Sequence, residues 1–216
     1  MKVYHYGNEQ SNIKLIQMVD DHDMEVLENE INLIKELSGV SDFHLIAVKV
    51  DNWNNDLSPW EAPAVFGNEG FGGNASQTLD YLVQNIVRPI EDSVSDELQI
   101  YIGGYSLSGL FALWSVYQTD IFDGCVAASP SVWFPDFTDY ISDKTIKTKR
   151  VYLSLGNKEE KTKNPVMRQV GDAIRKCYSL LENKISVTLE WNEGNHFKEP
   201  DLRTAKGFAW LLTEKC

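Results

Sequence analysis

Cysteine is scarce in this chain: Cys125, Cys177 and Cys216 form neither a C-x-x-C pair nor a dense framework. That excludes a disulfide scaffold and leaves free thiols in a reducing compartment as the expectation. Basic residues are outnumbered, with 20 Lys and Arg against 32 Asp and Glu and a formal net charge of −12. A nucleic-acid footprint needs clustered cations to neutralise phosphates, so no nucleic-acid partner is expected. Absent too is any apolar run of the roughly 18 residues that a membrane span requires. The opening "MKVYHYGNEQ" lacks the apolar core of a signal peptide. The expectation is therefore a cytoplasmic protein with no membrane partner.

Two short strings invite ligand readings that their chemistry does not support. "NEGFGGN" at 68–74 is glycine-rich but lacks the Lys-Ser/Thr ending of a phosphate-binding loop, so it reads as a flexible loop near a pocket. "DDHD" at 20–23 offers carboxylates and an imidazole. Adjacent side chains diverge, however, and helix starts attract Asp as a cap. No metal and no cofactor is expected.

What is present is an ordinary globular composition, 43% hydrophobic and 24% charged, in a chain long enough to bury a substantial core. No repeat or low-complexity linker interrupts it, so residues 1–216 are read as one domain. Strand-like runs fall at 3–6, 14–19, 44–50, 98–104, 124–129, 150–156 and 186–191. Several are nearly all apolar, as strands covered on both faces must be. Between them, Met24, Leu27, Ile31, Ile34 and Leu37 make one helical stripe. Leu79, Leu82, Val83, Ile86 and Ile90 make a second, which Pro89 should kink or end. Further helical patterns fill 107–118, 165–183 and 201–213. This alternation predicts an α/β fold with a mostly parallel sheet and helices on both faces. In such sheets ligands bind beyond the carboxyl ends of the strands, so chemistry is sought just after each strand.

The stretch "GGYSLSGLFALW" at 103–114 follows a strand and opens a helix. That is the context of a nucleophile elbow, G-x-S-x-G, with Ser106 as the nucleophile and Ser108 where the pattern has its second glycine. A serine hydroxyl needs a base to take its proton and an acid to orient that base. In an α/β-hydrolase these follow in the order Ser, acid, His. His5, His22 and His44 all precede Ser106; only His196, in "EWNEGNHFKEP", follows it. The acid is expected in "NKEEKTKNP" after the strand at 150–156, with Glu159 first and Glu160 the alternative, since Asn157 carries no charge. Oxyanion donors are expected from the Leu107 N–H and a second amide, at Asp21 or His22 or in the turn at Asn52 and Trp53. Trp53, Trp60, Phe66, Phe71, Trp133 and Phe134 fall in loops at the same end, where they make an apolar wall. Trp53, Tyr105 and Trp133 are the expected substrate contacts.

Carried by "GGYSLSGLFALW", "AASPSVWFP", "VYLSLGNKEE", "EWNEGNHF" and the weaker "DLSPWEAPAVF", the chain from residue 44 onward resembles the esterase D-like group of α/β-hydrolases. That group includes trilactone siderophore esterases, feruloyl and acetyl-xylan esterases, and S-formylglutathione hydrolases. Ser129, Pro130, Ser131 and Trp133 match the group's SPSxWW-like segment bordering the pocket, with Phe134 in place of the second Trp. The resemblance implies an α/β-hydrolase fold with abbreviated N-terminal strands, a serine hydrolase needing no cofactor, and Ser106 and His196 in its catalytic roles; the group's acid varies. Siderophore esterases tend to carry a basic residue where this chain has Trp53. With the acidic net charge, that shifts the expected substrate from an anionic ferric siderophore to small acyl esters. Thioester cleavage and acyl transfer would use the same site, and a non-catalytic ligand-binding protein on a hydrolase scaffold is the rival from another class. Composition does not choose an oligomeric state.

Overall fold

The computed structural model describes residues 1–65, 67–91 and 97–213; Phe66 and Cys216, named above, lie outside them. In chain order the elements are β1 (Lys2–Gly7), β2 (Ile13–Val19), α1 (Asp21–Ser38), β3 (His44–Lys49), α2 (Trp53–Asp56), β4 (Glu61–Ala62), β5 (Phe71–Gly72), α3 (Ala75–Leu82), α4 (Arg88–Glu91) and β6 (Gln99–Tyr105). There follow α5 (Leu107–Gln118), β7 (Gly124–Ala128), α6 (Phe137–Ser142), β8 (Arg150–Gly156), α7 (Val170–Leu181), β9 (Ser186–Asn192) and α8 (Pro200–Thr213).

Seven strands form one sheet in the order β1-β3-β2-β6-β7-β8-β9. Only β1 is antiparallel to its neighbour; β3, β2, β6, β7, β8 and β9 run parallel. This is the α/β-hydrolase fold. Each strand of the sheet lies within two residues of the run read from the sequence. Strand alternation divides the core. Ile16, Met18, Ile46 and Val48 face the layer that contains α3, α5 and α7, whereas Leu15, Val19, Leu45 and Ala47 face α1 and α8. Helix α5 is buried from Leu107 to Tyr117, which is why its residues are apolar on every side. The paired β4 and β5 and the short α2 and α6 carry too few residues for periodicity to reveal them.

Pro89 acts within a longer helix rather than ending it. A π-helical turn, Val83–Val87, joins α3 to α4. Proline has no N–H to return to the carbonyl four residues earlier, and a widened turn ahead of it accommodates that missing bond. In α1, Asp20 and Asp23 form a reciprocal capping box, Asp23 N–H donating to Asp20 Oδ1 at 2.9 Å and Asp20 N–H to Asp23 Oδ2 at 3.1 Å. The acids of "DDHD" thus satisfy helix-start donors. Among the described residues no helix is long and apolar enough to cross a membrane. Cys125 and Cys177 are buried and free.

One acid lies inside the layer between α1 and the sheet. Glu30 is 3% exposed, and its nearest partner is the Gln17 amide nitrogen at 3.4 Å. Burial, reinforced by the charge of Asp23, raises its carboxyl well above the ordinary value of 4.5. The folded state therefore keeps a proton that the unfolded chain has lost, and stability falls as pH rises from about 4.5 towards the folded value. Glu30→Gln removes the titration while keeping the shape. Its melting temperature should exceed that of the wild type by a few degrees at pH 8, with the gap closing towards pH 4; about 2–4 °C per kcal/mol is the scale for a chain of this size. Melts across that range check it, and a pH-independent gap would refute the assignment.

Candidate active site

Ser106 joins β6 to α5 with φ 59° and ψ −121°. A non-glycine residue held there stores roughly 1–3 kcal/mol of strain, and backbone bonds on both sides keep it in place. Ser106 N–H donates to the Ala128 carbonyl at 3.1 Å, and Ser131 N–H donates to the Ser106 carbonyl at 3.0 Å. The turn is tight. A Cβ added to Gly104 would fall 1.9 Å from Ser108 Oγ. Ser108 is fully buried, and its hydroxyl donates to the Met18 carbonyl at 2.8 Å. The serine at the pattern's second glycine therefore ties the first turn of α5 to the end of β2.

His196 lies in the loop between β9 and α8. Its Nε2 is 3.0 Å from Ser106 Oγ and its Nδ1 is 2.8 Å from Glu159 Oε2. With the proton on Nδ1, the ring donates to Glu159 and accepts from the Ser106 hydroxyl. The Tyr105 hydroxyl supports the loop from beneath, donating to the His196 carbonyl at 2.6 Å. Glu159 begins the first of two short 3₁₀ segments between β8 and α7, Glu159–Lys161. Its Oε1 accepts from Gly156 N–H at 2.7 Å, Ser129 Oγ at 2.8 Å and Arg203 at 2.8 Å. Burial acts to raise this carboxyl, but the hydrogen bond and charge of His196, with the Gly156 and Ser129 donors, hold it below its ordinary value. Glu159 is thus an ionised acceptor facing the imidazole. Glu160 turns away and accepts from Arg175 at 3.1 Å.

Ser106, Leu107 and His196 line a cleft of about 430 Å³ whose walls include Trp53, Phe71 and Trp133. An adjoining lobe of about 390 Å³ shares Trp133, Met167, His196 and Phe197 and has Lys158 and Lys161 in its lining. Phe197 is 85% exposed beside the His196 ring. Trp60 and Phe134 pack behind Phe71 and Tyr140 rather than lining the cleft. Ser131 is a further lining residue, its Oγ 3.4 Å from Ser106 Oγ.

Two sequence expectations are not met by these positions. Tyr105, expected to touch substrate, is buried, lines neither lobe, and spends its hydroxyl on the His196 carbonyl and Arg203. Alternation along β6 puts its ring on the α1 and α8 side of the sheet. Asp21, expected to give the second oxyanion amide, lines a separate cleft of about 340 Å³ with Asp51 and Trp53, and its carboxylate pairs with Lys49. The capping box starts α1 at that residue and its side chain meets the end of β3. Trp53 borders both clefts, so of the two candidate turns only the one holding Trp53 lines the Ser106 cleft.

Sequence reasoning placed Ser129 at the pocket border without its bond to Glu159, and did not single out Arg203. Arg203 shares a four-residue spacing with Gly207 and Leu211, all three buried. That spacing was the available signal for an inward-facing arginine.

The remaining histidines lie elsewhere. His5, Glu9 and His44 bring three possible metal-binding atoms within 4.8 Å of one another. A cation is already there: Lys14 Nζ donates to the Glu9 carbonyl at 2.7 Å and lies 3.5 Å from His44 Nδ1. Burial and then the Lys14 charge lower the His44 imidazole to about 4, so it stands neutral against the ammonium.

The chain thus has the α/β-hydrolase fold, with a serine at a strand-to-helix elbow. No protein-family model matches the chain. A Bacillus subtilis (strain 168) protein described as uncharacterized protein YbbA is 22% identical over 202 residues, covering 86% of this chain and 81% of that one. Among solved structures, the IroE-like serine hydrolase from Shewanella oneidensis superposes with TM-score 0.78 at 15% identity, over 97% of this chain and 75% of that one. Siderophore hydrolase EstA from Aspergillus nidulans gives 0.63 at 16%, over 98% and 93%. The Bacillus cereus carboxylesterase gives 0.64 at 13%, over 98% and 94%. These neighbours are thus described as a serine hydrolase, a siderophore hydrolase and a carboxylesterase, and share the fold that the sequence resemblance implies.

The elbow packing makes a graded prediction. Gly104→Ala should destabilise by about 2 kcal/mol or more, because the added methyl meets buried Ser108 and the helix behind it. Ser108→Ala loses one hydrogen bond and leaves a buried carbonyl unmet, about 1–2 kcal/mol. Urea unfolding of the two variants checks the order, and a reversed order would contradict this packing.

Proposed function

We propose that the protein is a serine hydrolase that cleaves carboxylic esters of small molecules through an acyl-enzyme. The observation that carries this reading is the unbroken hydrogen-bonded chain Ser106–His196–Glu159 opening on an apolar cleft. As Ser106 Oγ attacks the ester carbonyl carbon, His196 Nε2 takes its proton and Glu159 stabilises the imidazolium. The carbonyl oxygen gathers negative charge, which the Leu107 N–H at the start of α5 and an amide of the Trp53 turn stabilise. His196 then protonates the departing alcohol. A water molecule, deprotonated by the same imidazole, attacks the acyl carbon and frees the acid and Ser106. This chemistry calls on these side chains, two backbone amides and water, and on no cofactor.

The walls of the cleft support an apolar acyl or aryl part of the ester, held against Trp53, Phe71 and Trp133. Fold neighbours described as siderophore hydrolases and as a carboxylesterase fit ester bonds as the target, and the fold by itself does not choose among esters.

A fluorophosphonate should add one label per chain to the wild type, seen by intact mass, and short p-nitrophenyl esters should be turned over. Ser106→Ala should abolish labelling, and Ser106→Ala or His196→Ala should cut kcat by about 10⁴-fold or more, as when triad members are lost elsewhere. A wild-type protein that neither labels nor hydrolyses any ester would sink the proposal. Trp133→Ala should raise KM for a naphthyl ester by about tenfold, the value of one lost aromatic contact, while leaving KM for p-nitrophenyl acetate within about twofold. Equal shifts for both esters would remove Trp133 from the acyl or aryl wall.

A further inference from the structure

Arg203 is 1% exposed, near the start of α8, and its guanidinium reaches the end of β6 and the loops after β7, β8 and β9. Its NH1 donates to Glu159 Oε1 at 2.8 Å, to Ser129 Oγ at 2.9 Å and to the Tyr105 hydroxyl at 3.1 Å. Its NH2 donates to the carbonyls of Asn195 at 2.9 Å and Glu193 at 3.1 Å, in the loop that carries His196. Tyr105 closes the ring by donating to the His196 carbonyl at 2.6 Å. Gly156 is packed into the same place: a Cβ there would fall 2.5 Å from the Gly194 carbonyl and 2.9 Å from both terminal nitrogens of Arg203.

The distribution of bonds on the carboxylate is uneven in a useful way. Oε1 takes three donors, from Gly156, Ser129 and Arg203, whereas Oε2 takes His196 Nδ1. A carboxylate saturated on one oxygen cannot rotate freely, so its other oxygen stays aimed at the imidazole. One planar fork thus fixes the acid from one side and the backbone of the base from the other. A lysine, with a single point of charge, cannot span both.

We propose that Arg203 is the positioning residue of the proposed triad, setting Glu159 Oε2 and His196 Nδ1 at hydrogen-bond distance by holding Glu159 and residues 193–195 on one guanidinium. This rests on the hydrolase reading above for its kinetic consequence, but the His196–Glu159 contact that it controls is observable without turnover.

The test compares wild type, Arg203→Lys and Arg203→Met, each first checked for folding by circular dichroism and thermal melting. Three quantities are then read: kcat and KM on a p-nitrophenyl ester, and the low-field proton resonance of His196 Nδ1–H, assigned by its loss in His196→Ala. Arg203→Met should lower kcat by about 100-fold with KM within twofold, and lose the low-field resonance. Arg203→Lys should recover part of this, with kcat about tenfold below wild type and a weakened or shifted resonance. A residue that serves stability alone would lower the melting temperature but leave kcat and the resonance of the folded protein at wild-type values. That result in either variant overturns the proposal. If Arg203→Met does not fold, Arg203→Lys decides by the same readouts. If the wild type shows the resonance but hydrolyses no ester, the hydrolase reading fails, and retention or loss of the resonance in the variants still decides the role of Arg203.

Discussion

The buried pair of Glu159 and Arg203 is the constraint on which the rest of this site depends. Two charges taken out of water cost several kcal/mol each unless their remaining donors and acceptors are met. Here the two terminal nitrogens of Arg203 bond to the last residue of β6 and to the loops after β7, β8 and β9, all at the carboxyl edge of the sheet. These four segments are far apart in sequence. The ion pair makes them one unit, and a break in any of these contacts leaves a charge buried without its partner.

Strand register supplies the other half of that unit. Tyr105 pairs with Ala128, Ala128 with Ser154, Ser154 with Glu190 and Gly156 with Asn192. The strands therefore end at nearly one level, and Ser106, Ser129, Asn157 and Glu193 each begin a loop at the same edge. Because side chains alternate with period two, a slip of one residue in β8 would exchange the two faces of the strand. The apolar residues on both faces set the register against that slip. The separation of Ser106, His196 and Glu159 is thus fixed first by core packing and only then by hydrogen bonds.

This division explains what could be read from the sequence. Near-continuous apolar strands separated by amphipathic helices announce a parallel sheet, and all seven runs of the large sheet were legible for that reason. Ser106 was legible because a strand, a glycine-flanked serine and an apolar helix follow one another without a gap, and His196 because no other histidine lies downstream. Glu159 was legible as one of two adjacent acids; what separates it from Glu160 is a 3₁₀ turn of a single repeat, which has no periodicity to read. Tyr105 was misassigned because loop-end aromatics look alike in sequence, whereas the pleat decides which face of the sheet they join. Asp21 was misassigned because the same Asp that caps a helix also looks like a turn beside a pocket. Arg203 was passed over because its type argues for solvent, while its spacing with Gly207 and Leu211 argues for the interior. In a helix that carries one charged residue on its buried stripe, the spacing is the better guide, since a charge is placed there only where a partner awaits it.

The strained serine shows how the two levels meet. Ser106 at φ 59° loses conformational free energy that the flanking β6 and α5 must supply, and they supply it through burial: nearly the whole of α5 is inside the protein, and Ser108 locks its first turn to β2. The hydroxyl is thereby held out towards His196 without a side-chain bond that competes for it beyond the 3.4 Å contact to Ser131. On the opposite side the imidazole is fixed by Glu159 and by its own backbone. Each partner is positioned by contacts that face away from the other, so the 3.0 Å between Ser106 Oγ and His196 Nε2 is a gap left between two independently braced walls. Such a gap needs nothing in the cleft to maintain it, and preorganisation of this kind is what the proposed proton transfer from Ser106 to His196 calls for.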